Sequence, residues 1–158
     1  MSRSLPAALL LVTATSVASA QPPNWTRYSL SEANASVDLP VNVFAVDAGP
    51  AKKGAGHTFA TPDGRADVSL YSIPNDPPRS PAVFLKEDFQ LPQSSAIYRR
   101  VTRNMLAVSG YRGDQIWYAR CNFGRTRLHC VALNYPASEK LQWDAIVTRI
   151  SNSLSSAS

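Results

Sequence analysis

The chain has 158 residues, of which 44% are hydrophobic and 17% charged, and it carries a formal net charge of +5. This composition is typical of a globular domain and excludes a wholly disordered protein. After residue 20 no apolar run approaches ~20 residues, so we expect no transmembrane helix.

The first 20 residues have the features of a secretory signal peptide. Arg3 is positively charged, Ala7–Val12 is an apolar run, and Ala18-Ser19-Ala20 offers small residues at the positions that a signal peptidase reads. We therefore predict cleavage after Ala20 and one domain over residues 21–158. The expected location is the periplasm or the medium outside the cell.

Short strands dominate the next part of the chain. Trp25–Leu30 and Ser36–Leu39 are β-like, and His57–Thr61 and Arg65–Ile73 flank the turn sequence Pro62-Asp63-Gly64. An Asp-Gly pair between alternating segments is a strong indication of a β-hairpin.

A proline-rich stretch then leads into a predicted helix. Ser80-Pro81 is typical of an N-cap followed by a proline at the first helical position, which predicts a helix over Pro81–Gln90. Its apolar face is expected to carry Ala82, Leu85 and Phe89.

The second half of the chain is predicted to be mostly strand. The expected strands are Ile97–Arg103, Met105–Tyr111, Gln115–Phe123 and Arg127–Tyr135, the last two forming a hairpin around Gly124. If Cys121 faces Cys130, Ala119 lies opposite Ala132 and Tyr118 opposite Leu133. Small residues then face small ones and large residues face large ones, which favours this register.

The two cysteines, Cys121 and Cys130, have three possible roles. In an exported protein a structural disulfide is favoured. A redox-active pair usually has a tight C-x-x-C at the start of a helix, which this chain lacks. A metal site completed by His129 is disfavoured because adjacent strand residues point to opposite faces.

A C-terminal helix completes the predicted fold. Trp143, Ile146, Val147, Ile150 and Leu154 follow helical spacing and form one apolar stripe. Residues Ser155–Ser158 are expected to fray. We therefore predict an α+β domain, an antiparallel sheet of about six or seven strands with one mid-chain helix and one C-terminal helix packed on it.

Arginines are concentrated between positions 99 and 127, where Asp114 is the single acid. Arg99, Arg103 and Arg120 are predicted to share a sheet face near Tyr98, Tyr118 or Trp117, where they would bind an envelope protein or an anionic lipid or glycan. A solvated face whose arginines protect the sheet edges is the other interpretation, and runs of charge favour it. The arginines of this stretch are Arg99, Arg100, Arg103, Arg112, Arg120, Arg125 and Arg127.

Catalytic chemistry has little support in the sequence. The glycines of a nucleophile elbow, a His-Glu-x-x-His pair and a phosphate loop are all absent from it. The alternative enzyme hypothesis is a small hydrolase with Ser109 as nucleophile and His129 as base. Acidic pairs are sparse, so we expect no metal site and no cofactor. Nucleic acid is disfavoured as a partner because the chain is exported and carries no nucleic-acid motif.

Short motifs follow one another along the chain: Asp38-Leu39-Pro40, Thr61-Pro62-Asp63-Gly64, Val108-Ser109-Gly110, Leu128-His129-Cys130, Tyr135-Pro136-Ala137 and Trp143-Asp144-Ala145-Ile146-Val147. In these motifs and their order the chain resembles a group of small exported proteins frequent in alphaproteobacteria. Their element order is similar to the PsbP-like fold of the photosystem extrinsic subunit. The resemblance implies that fold and an exported location, and by analogy a role in binding or assembly, and it carries over no catalytic residue. Because the sequence also lacks a catalytic constellation, the leading hypothesis is a non-enzymatic binding or accessory module.

Overall fold

The protein is described by a computed structural model over residues 21–31, 34–89 and 96–156. The predicted signal peptide, residues 1–20, lies outside the described residues. The strands are β1 (Trp25–Leu30), β2 (Ala35–Pro40), β3 (Val46–Pro50), β4 (Ala55–Ala60), β5 (Asp67–Pro74), β6 (Ala96–Val101), β7 (Met105–Arg112), β8 (Gln115–Phe123), β9 (Arg127–Pro136) and β10 (Ser155–Ser156). The helices are α1 (Pro81–Asp88) and α2 (Lys140–Ser153), the latter preceded by a 3-10 turn (Ala137–Glu139).

Seven strands form one antiparallel sheet in the order β3-β4-β5-β9-β8-β7-β6. With a mid-chain and a C-terminal helix beside it, this sheet confirms the predicted α+β architecture. The Asp-Gly hairpin is also confirmed, since β4 and β5 pair antiparallel around a turn where Gly64 has φ of 69°. A positive φ is readily adopted by glycine, which explains the residue at that corner.

A second, three-stranded sheet has the order β1-β2-β10. Strands β1 and β2 pair antiparallel, and the chain end returns to β2, where Ser155 lies opposite Ser36 and Ser156 opposite Ala35. The expectation that Ser155–Ser158 frays is therefore wrong for its first two residues, because backbone pairing to β2 holds them. The last two residues of the chain, 157 and 158, lie outside the described residues.

Helix α1 begins as predicted. Ser80 is its N-cap, and the Ser80 hydroxyl accepts a hydrogen bond from the Val83 backbone N–H at 3.3 Å. The expected apolar face is only partly correct, because Phe84 and Leu85 are buried whereas Ala82 is exposed.

The two faces of the seven-stranded sheet pack against different partners. One face, which we call the α2 face, packs against α2 and the small sheet through Val37, Leu70, Leu133 and Ile150. The opposite face, the α1 face, packs against α1 through a second cluster that includes Phe84, Trp117 and both cysteines.

The β8–β9 hairpin has the register that the sequence predicts. Cys121 lies opposite Cys130, and Ala119 lies opposite Ala132. The cysteines form a disulfide with an S–S distance of 2.00 Å and a Cα–Cα distance of 4.1 Å. Both are fully buried beneath α1, which agrees with a structural role.

Candidate functional site

Arg99 and Arg120 lie on opposite faces of the sheet. In the register, Arg120 on β8 is opposite Ala107, whereas Arg99 on β6 is opposite Val108. Because neighbouring residues of a strand point to opposite sides, the two arginines cannot share a face. The prediction of one surface containing Arg99, Arg103 and Arg120 is therefore wrong.

Arg120 and Tyr118 both lie on the α2 face and bind α2. The Tyr118 hydroxyl is 2.6 Å from the Ser151 hydroxyl, and the Arg120 guanidinium donates a hydrogen bond to the Asn152 side-chain oxygen at 3.2 Å. Burial raises the pKa of the Tyr118 hydroxyl, which therefore stays neutral. These contacts orient the helix on the sheet.

Trp117, next to Tyr118 on β8, points to the α1 face. It is only 7% exposed and stacks on Phe89, with ring centroids 5.8 Å apart and an interplanar angle of 19°. Its large side chain contributes to the second core beneath α1.

The remaining arginines form a distinct surface at the end of the sheet. We call residues 97–103 the arginine edge: strand β6, which among the described residues pairs with β7 alone, and the turn that follows it. It carries the exposed side chains of Arg99, Arg100 and Arg103. Its three apolar side chains are also exposed, Ile97 by 48%, Tyr98 by 46% and Val101 by 39%.

Side chains on both faces of β6 are exposed, and each face combines a cation with an apolar or aromatic group. Tyr98 and Arg100 lie opposite Ser109 and Ala107, which places them on the α2 face. Arg99 and Val101 alternate with them and lie on the α1 face. The arginine edge therefore offers mixed charged and apolar contacts on both sides of an open strand.

A groove of about 520 Å³ crosses the part of the α1 face that α1 leaves open. We call it the α1-face groove. Its floor is formed by side chains of β4, β5, β8 and β9, its wall by Phe89 at the end of α1, and its rim by Lys52, Lys53 and Arg112. The floor includes Thr58, Asp67, Ser69, Ala119, Ala132 and Asn134.

The charges of the α1-face groove are unevenly compensated. Asp88 lies 2.9 Å from the Arg79 guanidinium, which neutralises this acid. Lys52, Lys53 and Arg112 have no carboxylate within 4.0 Å among the described residues. The rim therefore carries positive charge that no carboxylate of the described residues neutralises.

The sequence did not predict this groove because four strands and a helix end build it. A partial indication was the pairing of Ala119 with Ala132, since small side chains on neighbouring strands leave a hollow above the sheet. Periodicity within one strand cannot show which other strands complete such a hollow.

Ser109 and His129 both lie on the α2 face, but far apart. Ser109 is opposite Tyr118 and His129 is opposite Asn122, so the two sites are separated by two strand spacings and by four residues along the strands. Standard strand dimensions place them about 16 Å apart. A nucleophile and its base must approach hydrogen-bonding distance, so the predicted hydrolase pair is wrong.

His129 is instead a buried structural residue. It is 6% exposed, and its Nδ1 has no hydrogen-bond partner among the described residues. Burial, together with the positive charge of Arg127, lowers the pKa of the imidazole from its usual range.

The lowered pKa of His129 predicts that acidification lowers the free energy of unfolding. Between the lowered folded-state pKa and the ordinary value of about 6.5, the unfolded chain binds a proton that the folded chain does not. The free energy of unfolding should therefore fall from pH 7.5 towards pH 5.5, by at most about 1.4 kcal/mol per pH unit for this group. Urea titrations across this range should show a smaller slope for His129→Leu, and an equal slope would contradict the prediction.

In the part of the chain that the structure describes, no group of three or more His, Cys, Asp or Glu side chains is arranged to hold a metal ion. Over the same residues, no helix has the length and apolar character to cross a membrane.

Comparison with known proteins relates the chain to others through its fold. No family model and no curated protein matches the sequence. Among solved structures, the chain is similar to the solution structure of cyanobacterial PsbP (CyanoP) from Synechocystis sp. PCC 6803. The two share 12% identity and a TM-score of 0.61, over 93% of this chain and 99% of that one. The chain therefore has a PsbP-like α+β fold.

Proposed function

We propose that this protein is an exported, non-enzymatic accessory module that binds an acidic, extended segment of an envelope protein along the arginine edge. Three features support the exported location: the signal-peptide pattern up to Ala20, the Cys121–Cys130 disulfide and the PsbP-like fold. Disulfides persist mainly in oxidising compartments outside the cytosol.

The open strand β6 is the observation that carries this proposal. An edge strand presents unpaired backbone N–H and C=O groups, and an extended peptide binds them by adding a strand to the sheet. Every residue of β6 after Ala96 is exposed. A partner strand would thus reach the backbone and the side chains of both faces.

The side chains of β6 indicate which kind of segment would fit. Arg99 and Arg100 point to opposite faces, so a partner strand with acidic residues at successive positions would meet a guanidinium on each side. Tyr98 and Val101 add apolar contact area on each face. Charge complementarity therefore favours an acidic protein segment with interspersed apolar residues.

Edge protection is the competing explanation for these arginines. Charged side chains on an edge strand prevent unwanted pairing between sheets. That role requires charge of either sign, whereas recognition of an acidic segment requires positive charge. The sign of the charge at Arg99 and Arg100 separates the two explanations.

The test is photo-crosslinking in cells from a benzoylphenylalanine placed at Tyr98. We expect one dominant envelope protein to be captured, and Arg99→Glu with Arg100→Glu to reduce its yield about tenfold or more, because attraction becomes repulsion at both positions. The yield should persist in Arg99→Lys with Arg100→Lys, which keep the charge. It should also persist in Lys52→Glu with Lys53→Glu, which change the net charge equally elsewhere.

A second probe position controls for random collisions. Leu141, at the start of α2, is 89% exposed and lies outside the arginine edge, so the same crosslinker there should not capture the same protein. Equal capture from Leu141, or full capture by the glutamate pair, would contradict the proposal. Enrichment of anionic lipid or glycan at Tyr98 in place of a protein would also overturn it.

A further inference from the structure

We propose that the α1-face groove is a second binding site, independent of the arginine edge, for a sugar that carries an acidic group. The ligand chemistry is a polyhydroxylated ring with one carboxylate or phosphate. The volume of about 520 Å³ lies within the range of small-molecule sites and suits one or two sugar rings.

The floor of the groove offers hydrogen-bonding groups of both kinds. The Thr58 and Ser69 hydroxyls lie 2.8 Å apart, and the Asn134 amide donates to the Asp67 carboxylate at 3.0 Å. Hydroxyl groups can donate and accept, and the Asp67 carboxylate has further lone pairs to accept from a ligand hydroxyl. Sugar hydroxyls satisfy such a mixed set of partners.

Small residues in the floor leave room for a sugar ring, and one wall of the groove is aromatic. Ala119 and Ala132 lie side by side on β8 and β9, so the floor is hollow between the polar groups. Phe89 is half-buried and stacks on Trp117, which also lines the groove, with ring centroids 5.8 Å apart. A sugar ring in the hollow would rest its apolar C–H face against Phe89.

The rim provides the partner for the acidic group. Lys53 Nζ lies 5.5 Å from the centre of the Phe89 ring, so this cation stands next to the aromatic wall. Lys52 and Arg112 add positive charge around the same opening. A carboxylate or phosphate projecting from a ring against Phe89 would reach this cationic rim.

Asp67 explains why the proposed ligand is a sugar rather than a bare anion. A free phosphate in the hollow would meet the Asp67 carboxylate as a like charge, which opposes binding. A sugar acid places neutral hydroxyls on Asp67 and its negative charge at the rim. We therefore expect tight binding in the groove only when the ligand has both the hydroxylated ring and the acidic group.

The experiment is a titration of the isotopically labelled protein by nuclear magnetic resonance. The probes are glucuronate, glucose 6-phosphate, glucose and inorganic phosphate. We expect saturable shifts of the Asn134 side-chain amide and the Lys53 backbone amide with glucuronate or glucose 6-phosphate. Binding of glucose and of inorganic phosphate should be at least about tenfold weaker.

The comparison of glucuronate with glucose 6-phosphate separates the two sources of acidic sugar. Tighter binding of glucuronate would assign the site to carboxylated glycans, and tighter binding of the phosphate ester would assign it to phosphorylated sugars. Glucose or inorganic phosphate binding as tightly as both acidic sugars would overturn the proposal. So would the absence of saturable shifts with either acidic sugar up to roughly 10 mM.

Two variants test the rim and the hollow separately. Lys52→Glu with Lys53→Glu should weaken binding at least about tenfold, and both positions are exposed, so the fold is not at risk. Ala132→Leu should remove binding by filling the hollow while the rim stays unchanged. Arg99→Glu with Arg100→Glu, the matched control, should bind acidic sugar normally, and a loss there equal to that of the lysine pair would contradict a separate site.

Discussion

Replacing Trp143 by alanine is expected to lower the free energy of unfolding by about 3–5 kcal/mol. Trp143 is 7% exposed and stacks on Tyr135, with centroids 5.7 Å apart, and it also contacts Phe44 at 5.7 Å. Its indole N–H donates to the Glu139 carboxylate at 3.2 Å. Truncation would remove these contacts and leave a cavity between α2 and the sheet.

Urea unfolding followed by circular dichroism measures this loss. Leu141→Ala on the same helix is the control, because Leu141 is 89% exposed and its change should stay within about 0.5 kcal/mol. Trp143→Phe should retain much of the stability by preserving aromatic contact. An unchanged midpoint for Trp143→Ala would show that α2 is not anchored through this residue.

Local patterns in the sequence predicted local structure well. The helical spacing from Trp143 to Ile150 correctly indicated the buried stripe of α2, and Ser80-Pro81 correctly indicated where α1 begins. The β8–β9 register followed from matching Cys121 with Cys130 and small side chains with small ones. In each case the interacting residues are close along the chain, so spacing alone determines which of them meet.

Long-range pairing was not visible in the sequence. Strand β5 pairs with β9, and β10 pairs with β2, across large separations along the chain. These pairings place β1, β2 and β10 in one sheet and β3 to β9 in the other. Turn residues and the spacing of hydrophobic residues do not show which distant strand a short strand pairs with.

The positions of the arginines also depend on long-range strand pairing. The alternation of side chains along β8 is enough to place Trp117 and Tyr118 on opposite faces of the sheet. Whether Arg99 and Arg120 share a face depends instead on how β6 and β8 are each aligned with β7. A shift of one residue in that pairing would have placed the two arginines on the same face. Arg99, Arg100 and Arg103 are exposed together, and only the structure shows that Arg120 is separated from them.

The two proposed surfaces are separate, so each can fail without the other. The arginine edge belongs to β6 at one end of the sheet, whereas the groove rim draws Lys52 and Lys53 from the connection between β3 and β4 at the other end. If both proposals hold, one molecule would bind an acidic protein segment and an acidic sugar at the same time.

Loss of the disulfide is the second large effect we expect on stability. Cys121→Ala with Cys130→Ala should lower the free energy of unfolding by about 2–3 kcal/mol, since the bond closes a loop of about ten residues in the unfolded chain. Alanine at both positions continues the row that Ala119 and Ala132 already form across the same hairpin. The variant should therefore keep its fold and lose mainly the constraint on the unfolded state.

Burial of the two cysteines should also control how fast the disulfide is reduced. Both residues are 0% exposed and share a core cluster with Phe84 and Leu85 of α1, so a reductant cannot reach the sulfur atoms in the closed structure. Reduction of the native protein by dithiothreitol should be slow and should accelerate as low concentrations of urea favour opening of α1. Phe84→Ala should accelerate reduction by loosening α1, whereas Leu141→Ala on the other side of the sheet should leave the rate unchanged. Fast reduction that is independent of urea would show that α1 does not cover the disulfide in solution.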